Sequence, residues 1–245
     1  MRIFHTMLST ALKRGAGKGA LCNETRLRLY AFGKNFYFYI TSLFDLRILK
    51  DVFMDGEYEL ELKYRPKIVF DIGANVGVSS VYFSLKYPDA EIFAFEPDKN
   101  IQEQLRKNIK QFQNIKLSEC AITDRDGPTS FYSSIGRSES SSLIERKDKA
   151  IEVQEVEGET LDKAIEIADG NNIDLLKCDA EGGEWSIFHD SKKLNRIKNV
   201  IIEVHLDLLP VSEGEFLSLF ESYTIEKRIL SPERYILVGS RPDAD

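Results

Sequence analysis

The stretch VFDIGANVGVSS, residues 69–80, decides the fold. An apolar run ends at Asp71, the turn residues Gly73, Ala74, Asn75 and Gly77 follow, and Val78, Tyr82 and Leu85 then fall at helical spacing. Glycines at such a turn let strand and helix pack tightly and present N–H groups at the helix start. The unit recurs along the chain. EIFAFE (91–96) reads as a second strand, followed by Asp98 as a candidate N-cap and an apolar stripe of Ile101, Leu105, Ile109 and Phe112. IKLSECAI (115–122) reads as a third strand, TLDKAIEIA (160–168) as a helix and IDLLKCDA (173–180) as a fourth strand. EWSIFHDS (184–191) reads as a short helix and NVIIEVH (199–205) as a fifth strand. Ser212 with Glu215 makes a capping box, and YTIEKRIL and YILVGS, joined by SPER, read as a closing hairpin. Alternating strands and helices predict an α/β fold: a doubly wound, mostly parallel seven-stranded sheet with an antiparallel C-terminal hairpin strand.

With 245 residues, 42% of them hydrophobic, the chain suits one sizeable domain with an appendage. The division expected is an N-terminal extension or cap over residues 1–63, irregular at first with helix and strand over 35–61, and a main domain over 64–245. The net charge of -7 disfavours a nucleic-acid partner, which would need a basic face. Residues 1–34 run against this balance, with Arg2, Lys13, Arg14, Lys18, Arg26, Arg28 and Lys34 against Glu24. They are read as a solvated or frayed terminus, with a weak membrane-surface or partner contact as the alternative. Cys22, Cys120 and Cys178 have no metal spacing and point to a reducing, cytoplasmic setting without a structural disulfide. No secretory leader or membrane span is expected.

In sheets of this kind ligands bind over the carboxyl ends of the strands. Asp71 stands where a dinucleotide site has glycine, and its carboxylate would repel a pyrophosphate but suit an ammonium group. Glu96 ends the next strand, a position suited to a ribose diol. An amino group, a ribose and no phosphates describe S-adenosylmethionine. The plain structural alternative is that Asp71 caps the following helix and Glu96 is a surface acid.

The chain resembles the FkbM-type methyltransferases, a branch of the class I S-adenosylmethionine-dependent enzymes, from about Phe53 to Ser240. DLLKCDAEGGEW at 174–185 carries the most specific part, and DIGANVG (71–77), FEP (95–97), SSL (141–143), TLD (160–162) and IIEVH (201–205) match in order, with GEY (56–58) ahead of them. The resemblance implies a Rossmann-like fold and O-methylation of a hydroxyl on a sugar, glycolipid or other secondary metabolite. Asp71, Gly73, Ala74, Asn75, Gly77, Glu96, Pro97, Ala121 and Asp179 are the cofactor candidates, and Ser142 and Glu203 the acceptor candidates. A non-catalytic binding module and a nicotinamide oxidoreductase are the competing readings; the missing first glycine counts against the latter.

A hydroxyl is a poor nucleophile and needs a base. Lys177 and Asp179 share a strand face and Glu181 follows in the loop. They are read either as a polar cluster orienting the acceptor or as a structural ion pair of Lys177 with Asp179, Glu181 or Glu203. His205, at a strand end with Glu203 on its face, is the candidate base, and a divalent cation held by Asp179, Glu181 and His205 is the alternative. The Ser- and Gly-rich residues 124–159 are expected to form a hairpin lid that helps shape the acceptor pocket.

Overall fold

The computed structural model describes residues 20–134, 151–168 and 172–242. It opens on a hairpin of β1 (Ala20–Ala31) and β2 (Lys34–Ser42); β1 falls where the sequence reads as irregular, and β2 in the stretch read as helix and strand. Phe32 and Gly33 at the tip both have positive φ, 49° and 79°, as a tight hairpin turn requires. Along β2 the buried residues Phe36, Phe38 and Ile40 alternate with more exposed ones, a period of two. Helix α1 (Leu43–Phe53) follows directly. Ser42 accepts from the Asp45 N–H and Asp45 returns the bond, a full capping box. Buried Asp45 also accepts from Gln104 Nε2 at 2.8 Å, tying the start of α1 to the main domain.

The main domain runs β3 (Ile68–Ile72), α2 (Val78–Lys86), β4 (Glu91–Phe95), α3 (Gln102–Ile109), β5 (Ile115–Ser118), β6 (Ala121–Thr123), β7 (Gly127–Ser134), β8 (Ile151–Thr160), α4 (Leu161–Ile167), β9 (Leu175–Cys178), α5 (Glu184–Phe188), β10 (Asn199–His205), α6 (Glu213–Ser218), β11 (Thr224–Ser231) and β12 (Arg234–Ser240). Seven strands form one sheet in the order β11-β12-β10-β9-β3-β4-β5. Strands β10, β9, β3, β4 and β5 are parallel, and β12 and β11 close the edge antiparallel. This is the α/β doubly wound sheet read from the sequence.

Every residue of β3 is buried, because helices cover both faces. Val69, Ile92, Leu175 and Ile201 join one apolar cluster with α1, α2, α3 and the N-terminal hairpin. Their neighbours Phe70, Phe93, Leu176 and Ile202 join a second with α4, α5 and α6. Asn108 of α3 fastens the hairpin further: it accepts from Tyr39 N–H at 2.7 Å and donates to Val76 O at 2.8 Å.

Two local expectations change. The segment 115–122 is two strands. After the Glu96 N–H donates to Ser118 O the chain leaves the large sheet, and β6 pairs in parallel with β8 in a separate sheet of order β6-β8-β7. Asp98 opens the turn before α3 instead of occupying the cap position, which is Ile101. Its carboxylate accepts from Asn100 N–H and is held by Ser133 and Gln154 of the β7–β8 hairpin. That antiparallel hairpin agrees with the expectation for residues 124–159, although its connection, residues 135–150, lies outside the described residues. Ser212 caps α6 by accepting from Glu215 N–H. Cys120 and Cys178 are buried free thiols. Among the described residues no helix is long and apolar enough to cross a membrane.

Candidate cofactor and acceptor site

The chain winds outward from β3 in both directions, so a crevice opens over the carboxyl ends of β3, β4, β9 and β10. A cavity of about 880 Å3 lies there. Its floor is the turn after β3. Gly73 and Ala74 donate to Phe95 O at 3.0 and 3.1 Å, and Asn75, at φ 51°, donates to Glu96 Oε2 at 2.7 Å. A Cβ on Gly73 would stand 1.9 Å from the Asp179 carbonyl oxygen. Glycine is therefore demanded by the end of β9, not by a ligand alone. Gly77 does not line the cavity. A Cβ there would meet Leu105 at 2.8 Å and Ile109 at 3.1 Å, so this residue, read as a cofactor contact, serves the packing of α3.

Asp71, read as a cofactor contact, does not line the cavity either. It is 0% exposed. Ser79 and Ser80 donate to its Oδ2 at 2.7 and 2.5 Å, and Lys177 Nζ lies 3.2 Å from its Oδ1. Asp71 and Lys177 are register neighbours on β3 and β9. Lys177 thus pairs with Asp71, not with Asp179, Glu181 or Glu203, and it donates to Ile72 O and Gly73 O, holding the turn closed. Burial works to lower the Lys177 pKa, but the Asp71 and Asp179 carboxylates outweigh it and raise the value.

Glu96 stands where the sequence put it, at the end of β4, with Pro97 and Ala121 beside it on the cavity wall. It is buried and accepts from Asn75 and Asp98 N–H. Burial pushes its pKa up to about 7, against the lowering effect of those two bonds.

Across the cavity Asp179, Glu181 and Glu203 gather at the ends of β9 and β10. His205, read as the candidate base, stands behind them, 0% exposed and off the cavity wall. Its Nδ1 is 3.1 Å from Glu184 Oε1, and its Nε2 is 3.6 Å from both Glu181 Oε2 and Glu203 Oε1. Burial opposes charge on the ring, yet Glu184, Asp179 and Glu181 raise its pKa to about 9. Burial, with Asp179 nearby, raises Glu203 to about 8. Ligand atoms of Asp179, Glu181 and His205 all lie within 4.8 Å of one another.

The remaining wall was not anticipated. Phe44, Arg47 and Ile48 of α1 reach it, as do Glu57 and Tyr58, Phe131 of β7 and Arg234 of β12. Burial raises the Glu57 pKa to about 7. The signals existed: Glu57 and Tyr58 lie in the GEY segment and Glu184 in the EGGEW segment. Neither segment tells where its side chains point. Ser142 falls outside the described residues.

The sequence profile of the Methyltransferase FkbM domain matches residues 71–224. The chain belongs to the FkbM methyltransferase family. It is 29% identical over 218 residues to methyltransferase sdnD of Sordaria araneosa, covering 75% of this chain and 80% of that protein. It is 30% identical over 140 residues to the 2-O-methyltransferase NoeI of Sinorhizobium fredii, covering 51% of this chain and 58% of the relative. Among solved structures, the methyltransferase FkbM from Methylobacillus flagellatus superposes with a TM-score of 0.50 at 16% identity, over 78% of this chain and 47% of that one. Fibrillarin of Methanococcus jannaschii superposes with a TM-score of 0.53 at 12% identity, over 93% and 91%. At such identities these two likenesses bear on the fold alone. As a member of the FkbM family, the chain is an S-adenosylmethionine-dependent methyltransferase. The cavity suits that cofactor: its volume is within the range of small-molecule sites, about 300–1,000 Å3, and the buried acid Glu96 faces it.

Proposed function

We propose that this FkbM-family enzyme methylates a hydroxyl oxygen of a small polyhydroxylated acceptor, a sugar, glycolipid or other secondary metabolite. The observation that carries the reading is the cluster of Asp179, Glu181 and Glu203 on the cavity wall. Three carboxylates are suited to orient a hydroxyl and to accept its proton. Two relatives, NoeI and the 31-O-demethyl-FK506 methyltransferase FkbM of Streptomyces tacrolimicus, bear names that specify transfer to oxygen, which supports the same chemistry here.

In this reading Glu96 receives the ribose diol while the Gly73–Asn75 turn lies against the rest of the cofactor. Glu57 takes the part first read for Asp71, as a carboxylate on the wall for the ammonium group. Bound S-adenosylmethionine supplies a methyl group on a sulfonium, and as the acceptor oxygen bonds to that carbon the carbon–sulfur electron pair stays with sulfur. The enzyme's own contribution is alignment, worth at most about 7–11 kcal/mol, and removal of the hydroxyl proton to Glu181 or Glu203. Carboxylates outnumber cationic side chains around the cavity, which favours a cationic cofactor and disfavours an anionic acceptor. The test is a screen of sugars and hydroxylated metabolites with methyl-labelled cofactor. Label arriving on oxygen supports the proposal; label arriving only on nitrogen or carbon acceptors refutes it.

A further inference from the structure

We propose that Asp179, Glu181 and His205 hold a divalent cation, Mg2+ or Mn2+, against which the acceptor is bound through two neighbouring oxygens. The site stands on the chain's own donors; the use made of it rests on the O-methyltransferase reading above.

The argument starts at the His205 ring. Its Nδ1 faces Glu184 Oε1 at 3.1 Å, and a carboxylate there accepts, so the proton belongs on Nδ1. Glu184 is itself fixed, because Ala180 and Gly182 N–H donate to the same oxygen. The Nε2 atom then presents its lone pair toward Glu181 and Glu203, each 3.6 Å away, too far for a hydrogen bond. Nε2 is buried and has no hydrogen-bond partner, and neither has Asp179 Oδ1. A lone pair aimed at carboxylates is repelled unless something positive stands between them. That something is a second ring proton or a metal ion.

Distances and chemistry favour the metal. All three ligand atoms lie within 4.8 Å of one another. Metal–ligand bonds of about 2.0–2.2 Å set opposite ligands about 4.4 Å apart and adjacent ones about 3 Å apart, so the three side chains would draw together on the ion. A ligating histidine ordinarily donates its other N–H to a carboxylate, which is the place of Glu184. Two carboxylates and one imidazole neutralise a divalent charge, and the oxygen-rich set suits Mg2+ or Mn2+. Arg234 borders the cluster, its Nη1 3.6 Å from Glu203 Oε1 and its Nη2 3.9 Å from Glu181 Oε2. Three protein ligands leave about three octahedral positions open toward the cavity, room for two oxygens on adjacent acceptor carbons. The acceptor class is thus a vicinal diol or a hydroxyl beside a carbonyl oxygen.

The test is a Mn2+ titration of the chelator-treated full chain, read as loss of the free-ion electron paramagnetic resonance signal. S-adenosylhomocysteine binding is measured by calorimetry on the same metal-free samples. The expected result is one Mn2+ per chain, with affinity falling tenfold or more in both Glu181→Gln and Asp179→Asn. Glu181→Gln, at the loop, should keep its calorimetric binding and its circular dichroism. His205→Gln should lose the ion as well, and if it does not fold the two loop variants decide. No wild-type binding below about 1 mM, the weak end for biological sites, overturns the proposal. So does binding that both loop variants leave unchanged. Bound S-adenosylhomocysteine without Mn2+ rejects the cation alone, whereas loss of both rejects the site as a whole.

Discussion

Glu96 gives the cofactor assignment its sharpest test. Its carboxyl is buried, and burial raises its pKa to about 7; Asp98 adds to the rise, while the N–H groups of Asn75 and Asp98 and the charge of Lys177 oppose it. A ribose diol donates to the ionised form. The group is about nine-tenths ionised at pH 8 and about one-tenth at pH 6, so its share of the binding falls as pH falls. If the bound complex keeps Glu96 ionised throughout, affinity for S-adenosylhomocysteine should drop about tenfold from pH 8 to pH 6, near 1.4 kcal/mol. Glu96→Gln keeps the shape and removes the titration. Glu57, also raised to about 7, contributes a slope that the variant retains. The quantity to measure is therefore the difference between the two proteins, by calorimetry at half-unit steps. Parallel slopes in wild type and Glu96→Gln would refute the placement of the ribose at Glu96.

Gly73→Ala should cost more than the 1–3 kcal/mol or so of a strained positive φ, because its Cβ also strikes the Asp179 carbonyl. The melting temperature should fall by at least about 5 °C, and an unchanged melt would show the turn is built otherwise. Lys177→Met strands Asp71 in the core and should destabilise by about 3–5 kcal/mol. Asp71→Asn added to it should restore part of the loss in a denaturant titration, and strict additivity would contradict the ion pair. Phe38→Ala, in the N-terminal hairpin, should cost about 3–5 kcal/mol if hairpin and sheet unfold together; a loss below about 0.5 kcal/mol, the size of an ordinary surface change, would make the hairpin an independent appendage.

The sheet was legible because buried parallel strands read as short apolar runs and their helices as 3.6-residue stripes. The strand-end acids were legible for the same reason, since a fold rule states where they must lie. Their partners were not. Asp71 meets Lys177 because β3 lies beside β9 in a particular register, and no spacing along the chain contains that fact. The demand for glycine at Gly73 comes from Asp179, far along the sequence. His205 could be placed at a strand end, but its partner Glu184 comes from a separate helix that no spacing along the chain sets against it. The N-terminal hairpin showed its alternation in NFYFYI, but a period of two over a charged stretch does not reveal what covers it.

The matched span of residues 71–224 contains the turn, Glu96 and the carboxylate cluster, but not the whole cavity wall. Phe44, Arg47 and Ile48 come from before it, and Leu230, Arg234 and Ile236 from after it. The walls of one cavity thus come from the matched span and from both lengths of chain that flank it. An exchanged N-terminal segment would have to bring matching residues for Gln104 and Asn108, whose bonds to Asp45 and Tyr39 seat it on the domain. The seat of the hairpin on α3 is thus also a condition on the wall that α1 supplies to the cavity.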